Sequence, residues 1–568
     1  MYLDTLVKVP EIKGKITRKQ KGNSIYINYE FRRKYDAERK FNIPQRVTIG
    51  KESKSDPGKM QPNQNYLVYF PEAELPQTRA EARRSSCLRV GGYIVLRRII
   101  EEYGLPKVLG HYFESGDRDL FLDLMVYSII TENNAGQYYP DYGYNHPLFS
   151  KDMKIYSDSK VSSFLKEVSL EERVGFLNEW NESRDHREKI YISYDSTNKN
   201  CQAGDIRLAE YGHAKEDKGL PILNYSVAYD TSNREPLFYE EYAGSIVDVT
   251  QLQYMLGKAE GYGYRKVGFI LDRGYFSREN IEYMDRCGYD FVIMVKGMAS
   301  LVNELVLKVK GSFENDRDCN IRKYGVYGTT VKGNLYYTDK KERFFHIYYN
   351  DGKKASEHEK IEVKIEKLAE YLKSREGSVY YPSERVREYF EPFINEKNGV
   401  FLFAREKKAV IEREIDLCGY FCIVTSQKMT AKEALDLYKS RDASEKLFRG
   451  DKSYLGNRSL RVYTDESVSA KVFIEFVALI VRSRFYCRLK DENEKLENRQ
   501  NYMDVPAAIR ELDKIEMIRG IDGKYRLDHA VTATQKTILG AFGLNPQYIK
   551  EQINNLSERL NIAAERQE

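Results

Sequence analysis

Three carboxylates that lie far apart in the sequence are the residues best suited to chemistry, namely Asp195, Asp272 and Glu445. Asp195 lies near the end of the apolar stretch KIYISYDST, and Asp272 ends the apolar stretch KVGFILD, so each is predicted at the end of a buried strand. If those strands are parallel neighbours, both carboxylates leave the same edge of one sheet. Three close carboxylates repel unless divalent cations neutralise them, and hard oxygen ligands suit Mg²⁺ or Mn²⁺. Two such ions can activate water or a 3′-hydroxyl for phosphoryl transfer.

Glu445 lies in a predicted helix that runs from Thr430 to about Lys452 and begins with a T-x-x-E capping box. Arg441, Glu445 and Lys452 follow Tyr438 at offsets of three, seven and fourteen residues. At about 100° per residue, the four fall within roughly 60° of one another on one helix face. Cations beside a carboxylate indicate an anionic partner of their own, and nucleic-acid phosphate is the obvious one. The alternative is a solvated helix with spaced ion pairs.

The stretch that contains both aspartates, residues 189–297, is predicted as three antiparallel strands followed by helix, strand, helix and strand. This is the order of a ribonuclease H-like domain, so the predicted fold class is α/β. Either aspartate alone would more often be a turn residue than a metal ligand, and only their conjunction with the Glu445 helix favours a site. The predicted organisation is a basic β-rich DNA-binding arm (1–85), a helical domain (86–188), the first part of a catalytic core (189–297), a β-rich insertion (298–428), the second part of the core with a long apolar helix (429–490), and a C-terminal helical region (491–568).

The N-terminal arm is strongly basic, because residues 13–51 contain twelve lysines and arginines against three acids. Two short strands are predicted there, at 24–31 and 45–51. Tyrosines are interleaved with the cations, which suits a surface that follows a phosphate backbone. The alternative is a solvated hairpin whose lysines protect an edge. The candidate DNA contacts in the arm are Arg32, Arg33 and Lys34.

Composition narrows the function classes. The net charge is only +5 in a chain with 31% charged residues, so nucleic-acid binding must come from local patches. The seven cysteines include no Cys-x-x-Cys pair and the seven histidines lack zinc-finger spacing, so we predict reduced thiols and no structural zinc. Because no apolar run approaches about 18 residues and no leader follows Met1, we expect neither a membrane span nor secretion, and a cytoplasmic protein.

Three short motifs carry a resemblance to a known family. They are YDST at Asp195, LDRGYFS at Asp272, and the spacing Tyr-x2-Arg-x3-Glu-x6-Lys that begins at Tyr438. Together they resemble the three signature regions of DDE transposases of bacterial insertion sequences, in the insertion-sequence-four group. The third spacing is the specific one, and the resemblance covers about residues 190–490. The long insertion between the second aspartate and the glutamate also matches the layout of that group.

The resemblance implies cut-and-paste DNA transposition. A transposase of this kind nicks the inverted-repeat ends of its element with Mg²⁺, two ions per active site and Mn²⁺ as a substitute, and joins the freed 3′-hydroxyls to target DNA. Its partners are therefore double-stranded DNA and a second copy of the chain in the DNA-bound complex, in the nucleoid of a bacterium. The alternatives are another ribonuclease H-like endonuclease, or a DNA-binding repressor or domesticated remnant without catalysis.

The resemblance also implies roles for single residues. Arg441 and Lys452 hold phosphates near the cleaved end, and Tyr438 contacts the same strand. Arg273, beside the second aspartate, is either a further phosphate contact or the partner of a salt bridge within the fold. The three carboxylates are then the catalytic residues and the metal ligands.

Overall fold

The computed structural model describes residues 2, 6–22, 24–36, 40–53, 56–72, 84–184, 189–201, 206–212, 219–246, 248–296, 298–336, 339, 341–442, 459–495, 503–520 and 523–565. The chain divides into two compact units. The first unit contains residues 1–176, 203–206 and 449–568, and the second unit contains residues 177–202 and 207–448. No helix in these described ranges is long and apolar enough to cross a membrane.

The elements before the first aspartate are, in chain order, β1 (Val7–Lys8), β2 (Ile16–Lys21), β3 (Ser24–Asp36), β4 (Phe41–Glu52), β5 (Lys59–Pro62), α1 (Gln64–Tyr69), β6 (Cys87–Arg89), α2 (Gly91–Glu102), α3 (Leu105–Gly110), α4 (Ser115–Thr131), α5 (Tyr139–Asn145), α6 (Asp158–Glu167) and α7 (Leu170–Glu182). The next elements are β7 (Ile190–Cys201), β8 (Ile222–Asp230), β9 (Glu235–Ala243), α8 (Asp248–Gly261), β10 (Val267–Leu271), α9 (Arg278–Cys287), β11 (Asp290–Met294), α10 (Ala299–Val309), β12 (Asn320–Ile321), β13 (Val326–Asn334) and β14 (Glu342–Tyr349).

The remaining elements of the second unit are α11 (Asp351–Lys373), α12 (Glu384–Arg387), β15 (Phe390–Ile394), β16 (Phe401–Glu406), α13 (Lys408–Asp416), β17 (Tyr420–Thr425) and α14 (Ala431–Ser440). The chain then returns to the first unit with β18 (Ser459–Leu460), α15 (Asp465–Lys495), α16 (Val505–Leu512), β19 (Glu516–Arg519), β20 (Tyr525–Leu527), α17 (Ala533–Ala541) and α18 (Pro546–Glu565).

The first unit begins with a five-stranded antiparallel sheet in the order β1-β5-β4-β3-β2. We call it the N-terminal sheet. Its small core is closed by α1 and centres on the fully buried Ile27, Ile49 and Met60. Strands β3 and β4 are longer than the strands predicted at 24–31 and 45–51, because they continue through the charged residues between those two stretches.

Helix α15 is the centre of the helical part of the first unit. It is buried around its whole circumference from Val468 to Val481, including the charged Lys471 and Glu475, so it has neighbours on all sides. Helices α2, α4, α6, α16 and α17 surround it, and Phe473 packs against Phe121 and Phe176. The prediction groups this helix with the catalytic core at 429–490, whereas the structure places it in the first unit.

The second unit is built on one mixed sheet, with strands in the order β12-β13-β14-β17-β11-β10-β7-β8-β9. Strands β7, β8 and β9 are successive antiparallel neighbours. Strand β10 then lies parallel to the other side of β7, and β11 lies parallel to β10. This is the order predicted for a ribonuclease H-like domain, and the predicted α/β fold class is confirmed.

The region between the second aspartate and α14 contains helices as well as strands. Strands β13, β14 and β17 continue the central sheet, because β17 pairs with both β11 and β14. The hairpin of β15 and β16 forms a separate sheet that packs with α11, α12 and α13 around Ile365, Phe390 and Phe401. Part of this insertion is therefore a direct extension of the core.

A buried histidine makes the second unit sensitive to acid. The ring of His346 on β14 is fully buried between two threonines, with Nδ1 2.9 Å from Thr330 Oγ1 and Nε2 3.0 Å from Thr425 Oγ1. Burial lowers the pKa of His346 from 6.5 to about 4. Below pH 6.5 the unfolded chain therefore binds a proton that the folded protein does not. The free energy of unfolding must then fall as the pH is lowered.

We expect this histidine to remove about 2 kcal/mol of stability between pH 7 and pH 5, a change absent from His346→Gln. The measurement is urea unfolding followed by circular dichroism at both pH values. Other groups also titrate in this range, so the informative quantity is the difference between wild type and variant. The same pH dependence in both proteins would contradict the prediction.

Candidate active site

The two aspartates lie at equivalent points of neighbouring parallel strands. Strands β7 and β10 are in register over five residue pairs, the last of which is Tyr194 with Leu271. Asp195 and Asp272 come next in their chains, so they occupy adjacent positions in the register. Adjacent strands lie about 4.8 Å apart, and in-register residues of parallel neighbours share a face. The prediction that these strands are parallel neighbours is confirmed.

Each aspartate is held by the backbone of the residue that follows it. Oδ1 of Asp195 accepts a hydrogen bond from the Ser196 N–H at 2.8 Å, and Oδ1 of Asp272 accepts one from the Arg273 N–H at 2.7 Å. Asp272 directly follows β10, as predicted. Asp195 is not at a strand end, because β7 continues to Cys201 in pairing with β8. It lies at the point where β10 stops running beside β7.

Two tyrosines from the aspartate motifs fix the local backbone. The chain after Asp272 forms a short 3₁₀ turn, Arg273–Tyr275, and the buried ring of Tyr275 packs 5.2 Å from that of Tyr194. Asn280 Nδ2 also donates a hydrogen bond to the Tyr275 carbonyl oxygen at 3.0 Å. These contacts hold the turn of one aspartate against the strand of the other. The sequence analysis missed them, although both tyrosines stand within the quoted motifs.

Helix α14 begins as the sequence predicts. Thr430 Oγ1 accepts a hydrogen bond from the Glu433 N–H, and the Glu433 carboxylate accepts one from the Thr430 N–H at 2.8 Å, which is a complete capping box. These bonds lower the pKa of Glu433. The helix then crosses strands β10, β11, β13, β14 and β17, with Leu435 in a core that includes Ile270 and Val292. Its C-terminal end therefore approaches the strand that leads to Asp272.

Arg441 and Asp272 form an ion pair in which Nη1 lies 3.2 Å from Oδ1. The guanidinium is only 12% exposed, whereas the carboxylate is 37% exposed and its Oδ2 accepts no hydrogen bond from the described residues. Arg441 also lies over the ring of Tyr438, with its Cζ 5.4 Å from the ring centre. One guanidinium thus connects the end of α14 to the second aspartate.

Tyr438 is a core residue in this structure. Its side chain is 6% exposed and packs with Ile270, Val292 and Leu435 against the central sheet. The predicted contact between Tyr438 and a DNA strand stays a prediction. In this position the ring of Tyr438 lies against the guanidinium of Arg441 and supports it.

The predicted helix from Thr430 to about Lys452 is interrupted. Helix α14 ends at Ser440, and the Arg441 N–H bonds to the Tyr438 carbonyl three residues back at 3.3 Å, which tightens the last turn. The face argument can therefore be examined only at Tyr438 and Arg441, on α14 and at its end. Glu445 and Lys452 lie outside the described residues, so their predicted roles stay predictions.

The other candidates lie in exposed positions. Arg273 is exposed in the turn after Asp272, and its side chain makes no ion pair with any residue that the structure describes. Arg32, Arg33 and Lys34 are exposed on β3 of the N-terminal sheet in the first unit. Arg33 Nε lies 2.6 Å from Glu30 Oε1, and this bond lowers the pKa of Glu30.

The donor set fits a hard divalent cation. It consists of carboxylate oxygens at adjacent register positions, one of which, Asp272 Oδ2, is accessible and accepts no described hydrogen bond. Oxygen donors of this kind suit Mg²⁺ or Mn²⁺ better than Zn²⁺. Within the described ranges, which exclude Glu445, no three metal-ligating side chains form a cluster. A site of three carboxylates, with Glu445 as the third, stays a prediction.

Comparison with known proteins gives matches to transposases. Two solved structures are similar: the cryo-EM structure of the piggyBac transposase synaptic complex with hairpin DNA, and the Mos1 transposase paired-end complex with left transposon end. The first match has 9% identity and a TM-score of 0.30, and it covers 67% of this chain and 60% of that chain. The second has 12% identity and a TM-score of 0.14, and it covers 40% and 65% of the two chains. This chain thus spans less than two thirds of the length of the piggyBac chain.

No curated protein matches the chain. The profile of the family described as "Transposase DDE domain" matches residues 192–481. The matched segment begins on β7, contains both aspartates and Arg441, and ends within α15. It amounts to slightly more than half of the sequence. The family therefore accounts for the stretch in which the two aspartates occupy adjacent register positions and a helix-end arginine contacts the second of them, and this chain belongs to the transposase DDE domain family.

Proposed function

We propose that this protein is a DNA transposase that cleaves the inverted-repeat ends of an insertion sequence and joins the freed 3′ ends to target DNA. The observation that carries the proposal is the register of β7 and β10, which gives Asp195 and Asp272 adjacent positions. Membership of the transposase DDE domain family supports it. The insertion-sequence-four group and the cut-and-paste route are part of the same proposal.

The proposed metal ligands are Asp195, Asp272 and Glu445. Two Mg²⁺ ions, with Mn²⁺ as a substitute, supply activation of the attacking hydroxyl and stabilisation of the leaving oxygen when they are bound. The protein fixes the two aspartate carboxylates through the N–H groups of Ser196 and Arg273. Both bonds come from the main chain, so the carboxylates keep their orientation when DNA enters.

The proposed phosphate contacts are Arg441, Lys452 and Arg273. Arg441 orients Asp272 and is well placed to share its guanidinium with a phosphate, because a guanidinium has five N–H donors. Tyr438 supports Arg441 from within the core, and its contact with the same DNA strand is part of the proposal. Arg273 is exposed beside Asp272, which favours the phosphate contact over a salt bridge within the fold.

The proposed partners are double-stranded DNA, as terminal inverted repeats and as target, and a second copy of the chain. Two copies are needed to hold both ends of an element in one complex. Bacterial cytoplasm and association with the nucleoid follow from this function. The exposed cations of the N-terminal sheet support DNA binding by the first unit.

The experiment that tests the function is cleavage of a labelled duplex that carries the DNA flanking the gene, with Mg²⁺, Mn²⁺ or EDTA. We expect nicking at a fixed position with either metal, no nicking with EDTA, and loss of nicking in Glu445→Gln. An element should also be recognisable by imperfect inverted repeats around the gene. Specific binding without cleavage in any metal would instead favour a catalytically silent repressor or remnant.

A further inference from the structure

Part of the N-terminal sheet is a two-stranded ribbon. Strand β2 pairs with β3 only as far as Tyr29, and β5 pairs with β4 only from Gly50 onward. Beyond these points β3 and β4 pair with each other alone. We call residues 32–36 and 41–45 the ribbon. Its five cross-strand pairs are Arg32 with Gln45, Arg33 with Pro44, Lys34 with Ile43, Tyr35 with Asn42, and Asp36 with Phe41.

The ribbon has the size of an element that enters a DNA groove. Five residues at about 3.4 Å each give a length of about 17 Å. The major groove of B-DNA is about 12 Å wide and 8.5 Å deep, and it admits a two-stranded ribbon. A register shift between Glu30 and Arg32 marks a bulge at the base of the ribbon. Bulges bend a strand and increase its twist, so the ribbon leaves the plane of the sheet.

The cations on the two faces of the ribbon differ in whether they form ion pairs with described residues. On one face, Arg32 and Lys34 are exposed and form no ion pair with any described residue, and Gln45 stands directly across from Arg32. On the other face, Arg33 is paired with Glu30, whose carboxylate is 4% exposed. The first face therefore presents a guanidinium and an ammonium to solvent, together with the half-buried amide of Gln45 and the half-buried carboxylate of Asp36. We call it the reading face.

We infer that the ribbon enters the major groove of duplex DNA, and that Arg32 and Gln45 on the reading face contact base edges. An arginine fork matches the O6 and N7 atoms of guanine, and a glutamine amide matches the N6 and N7 atoms of adenine. Lys34 suits a phosphate contact, because an ammonium is a compact charge without a fork. The inference rests on the proposed function only in taking DNA as the partner.

Protection of a sheet edge does not account for the same residues. Edge protection keeps apolar side chains away from the open edge and places charges there. Here the rings of Tyr35 and Phe41 are 62% and 52% exposed at the far end of the ribbon. The exposed ring of Phe41, on the same face as Arg32 and Lys34, fits contact with thymine methyl groups and sugars, since both are apolar surfaces inside a charged groove.

The test uses the full chain and two DNA probes: a duplex carrying the DNA that flanks the gene, and a pool of random duplexes enriched for binding. Methylation interference then separates the grooves, because guanine N7 lies in the major groove and adenine N3 in the minor groove. We expect N7 methylation within the bound site to block binding and N3 methylation to leave it unchanged. Interference at N3 alone would overturn the inference.

Variants separate base reading from charge. Arg32→Ala and Gln45→Ala should each lower the ratio of specific to non-specific affinity by about 5- to 100-fold. Arg32→Lys should keep the non-specific affinity, because the positive charge remains. It should lower the ratio of specific to non-specific affinity, because lysine lacks the guanidinium fork. Lys19→Ala on β2 is the matched control: its side chain is exposed on the same sheet, so it should weaken binding to all sequences alike. A uniform loss in Arg32→Ala, equal to that in the control, would contradict base reading.

The outcomes also separate this inference from the proposed function. N7 interference in a protein that never cleaves DNA would support the ribbon assignment and contradict the proposed transposase function. Metal-dependent cleavage without N7 interference would support the transposase function and contradict the ribbon assignment. Because the substituted side chains are exposed or half-buried on the ribbon and on β2, the thermal unfolding temperature of each variant should stay close to that of wild type, which excludes misfolding as the cause of lost binding.

Discussion

Asp195→Asn and Asp272→Asn are each expected to lower the rate of DNA strand cleavage by at least about 10³-fold, which corresponds to about 4 kcal/mol of transition-state stabilisation. The asparagine keeps the size of the side chain and an oxygen that accepts the N–H of Ser196 or Arg273. Only the negative charge and one oxygen are lost. Affinity for the flanking DNA should therefore stay within about threefold of wild type. Single-turnover cleavage and a gel-shift titration measure the two quantities.

Asp230→Asn is the matched control for both variants. Asp230 is a buried aspartate at the end of β8, and its carboxylate caps the following turn by accepting the N–H groups of Ser232 and Asn233. It is thus the strand-end turn residue that the other two aspartates are proposed not to be. We expect it to lower the free energy of unfolding by about 1 kcal/mol and leave cleavage per folded molecule unchanged.

A second readout distinguishes a metal ligand from a structural residue. Addition of Mn²⁺ should raise the unfolding temperature of wild type, because a ligand that binds only the folded state stabilises it. The rise should be smaller in Asp195→Asn and in Asp272→Asn, and unchanged in Asp230→Asn. If the first two variants instead lose folding and DNA binding together, the aspartates are structural and the proposed site is wrong.

The strands of the site could be predicted because each is a local pattern. The stretch VGFIL of β10 is apolar at every position, as expected for a strand covered on both faces, and Asp272 interrupts that pattern at the point where β10 ends. The start of α14 was equally local, since a capping box needs only Thr430 and Glu433. The parallel pairing of β7 and β10 followed from the order of the elements.

The end of α14 could not be predicted in the same way. No glycine or proline stands between Thr430 and Gly450, so nothing in the local sequence ends the helix at Ser440. Helical spacing also cannot say which face of a helix is buried when an aromatic residue and a cation share that face. The structure shows that Tyr438 faces the core and that the longer Arg441 reaches Asp272.

The ribbon and the packing partners of α15 could not be predicted, for opposite reasons. The ribbon residues are mostly charged and polar, so the alternating apolar pattern that predicts a strand stops at Phe31 although the pairing continues to Asp36. Hairpin geometry, rather than burial, holds this part together. Helix α15 is buried on every side, and such a helix gives no indication of which elements surround it.

Arg441→Ala is expected to lower the rate of cleavage by about 10²-fold, through loss of one charge-assisted contact to Asp272 and one to a DNA phosphate. The slope of log affinity against log salt concentration should fall by about 1, since one phosphate contact is removed. Arg441→Lys should restore the slope and only part of the rate, because an ammonium cannot bond a carboxylate and a phosphate in the same fixed geometry.

Tyr438→Phe is the control for Arg441, because it keeps the ring beneath the guanidinium and should leave cleavage within about threefold of wild type. In the absence of DNA, Arg441→Ala also removes a cation that competes for Asp272. It should therefore lower the Mn²⁺ concentration that gives half of the maximal thermal stabilisation, while the rate of cleavage falls. These opposite changes separate a residue that positions a carboxylate and a phosphate from one that merely supports the fold. A fall in both metal affinity and rate, with an unchanged salt slope, would show that Arg441 acts through the fold alone.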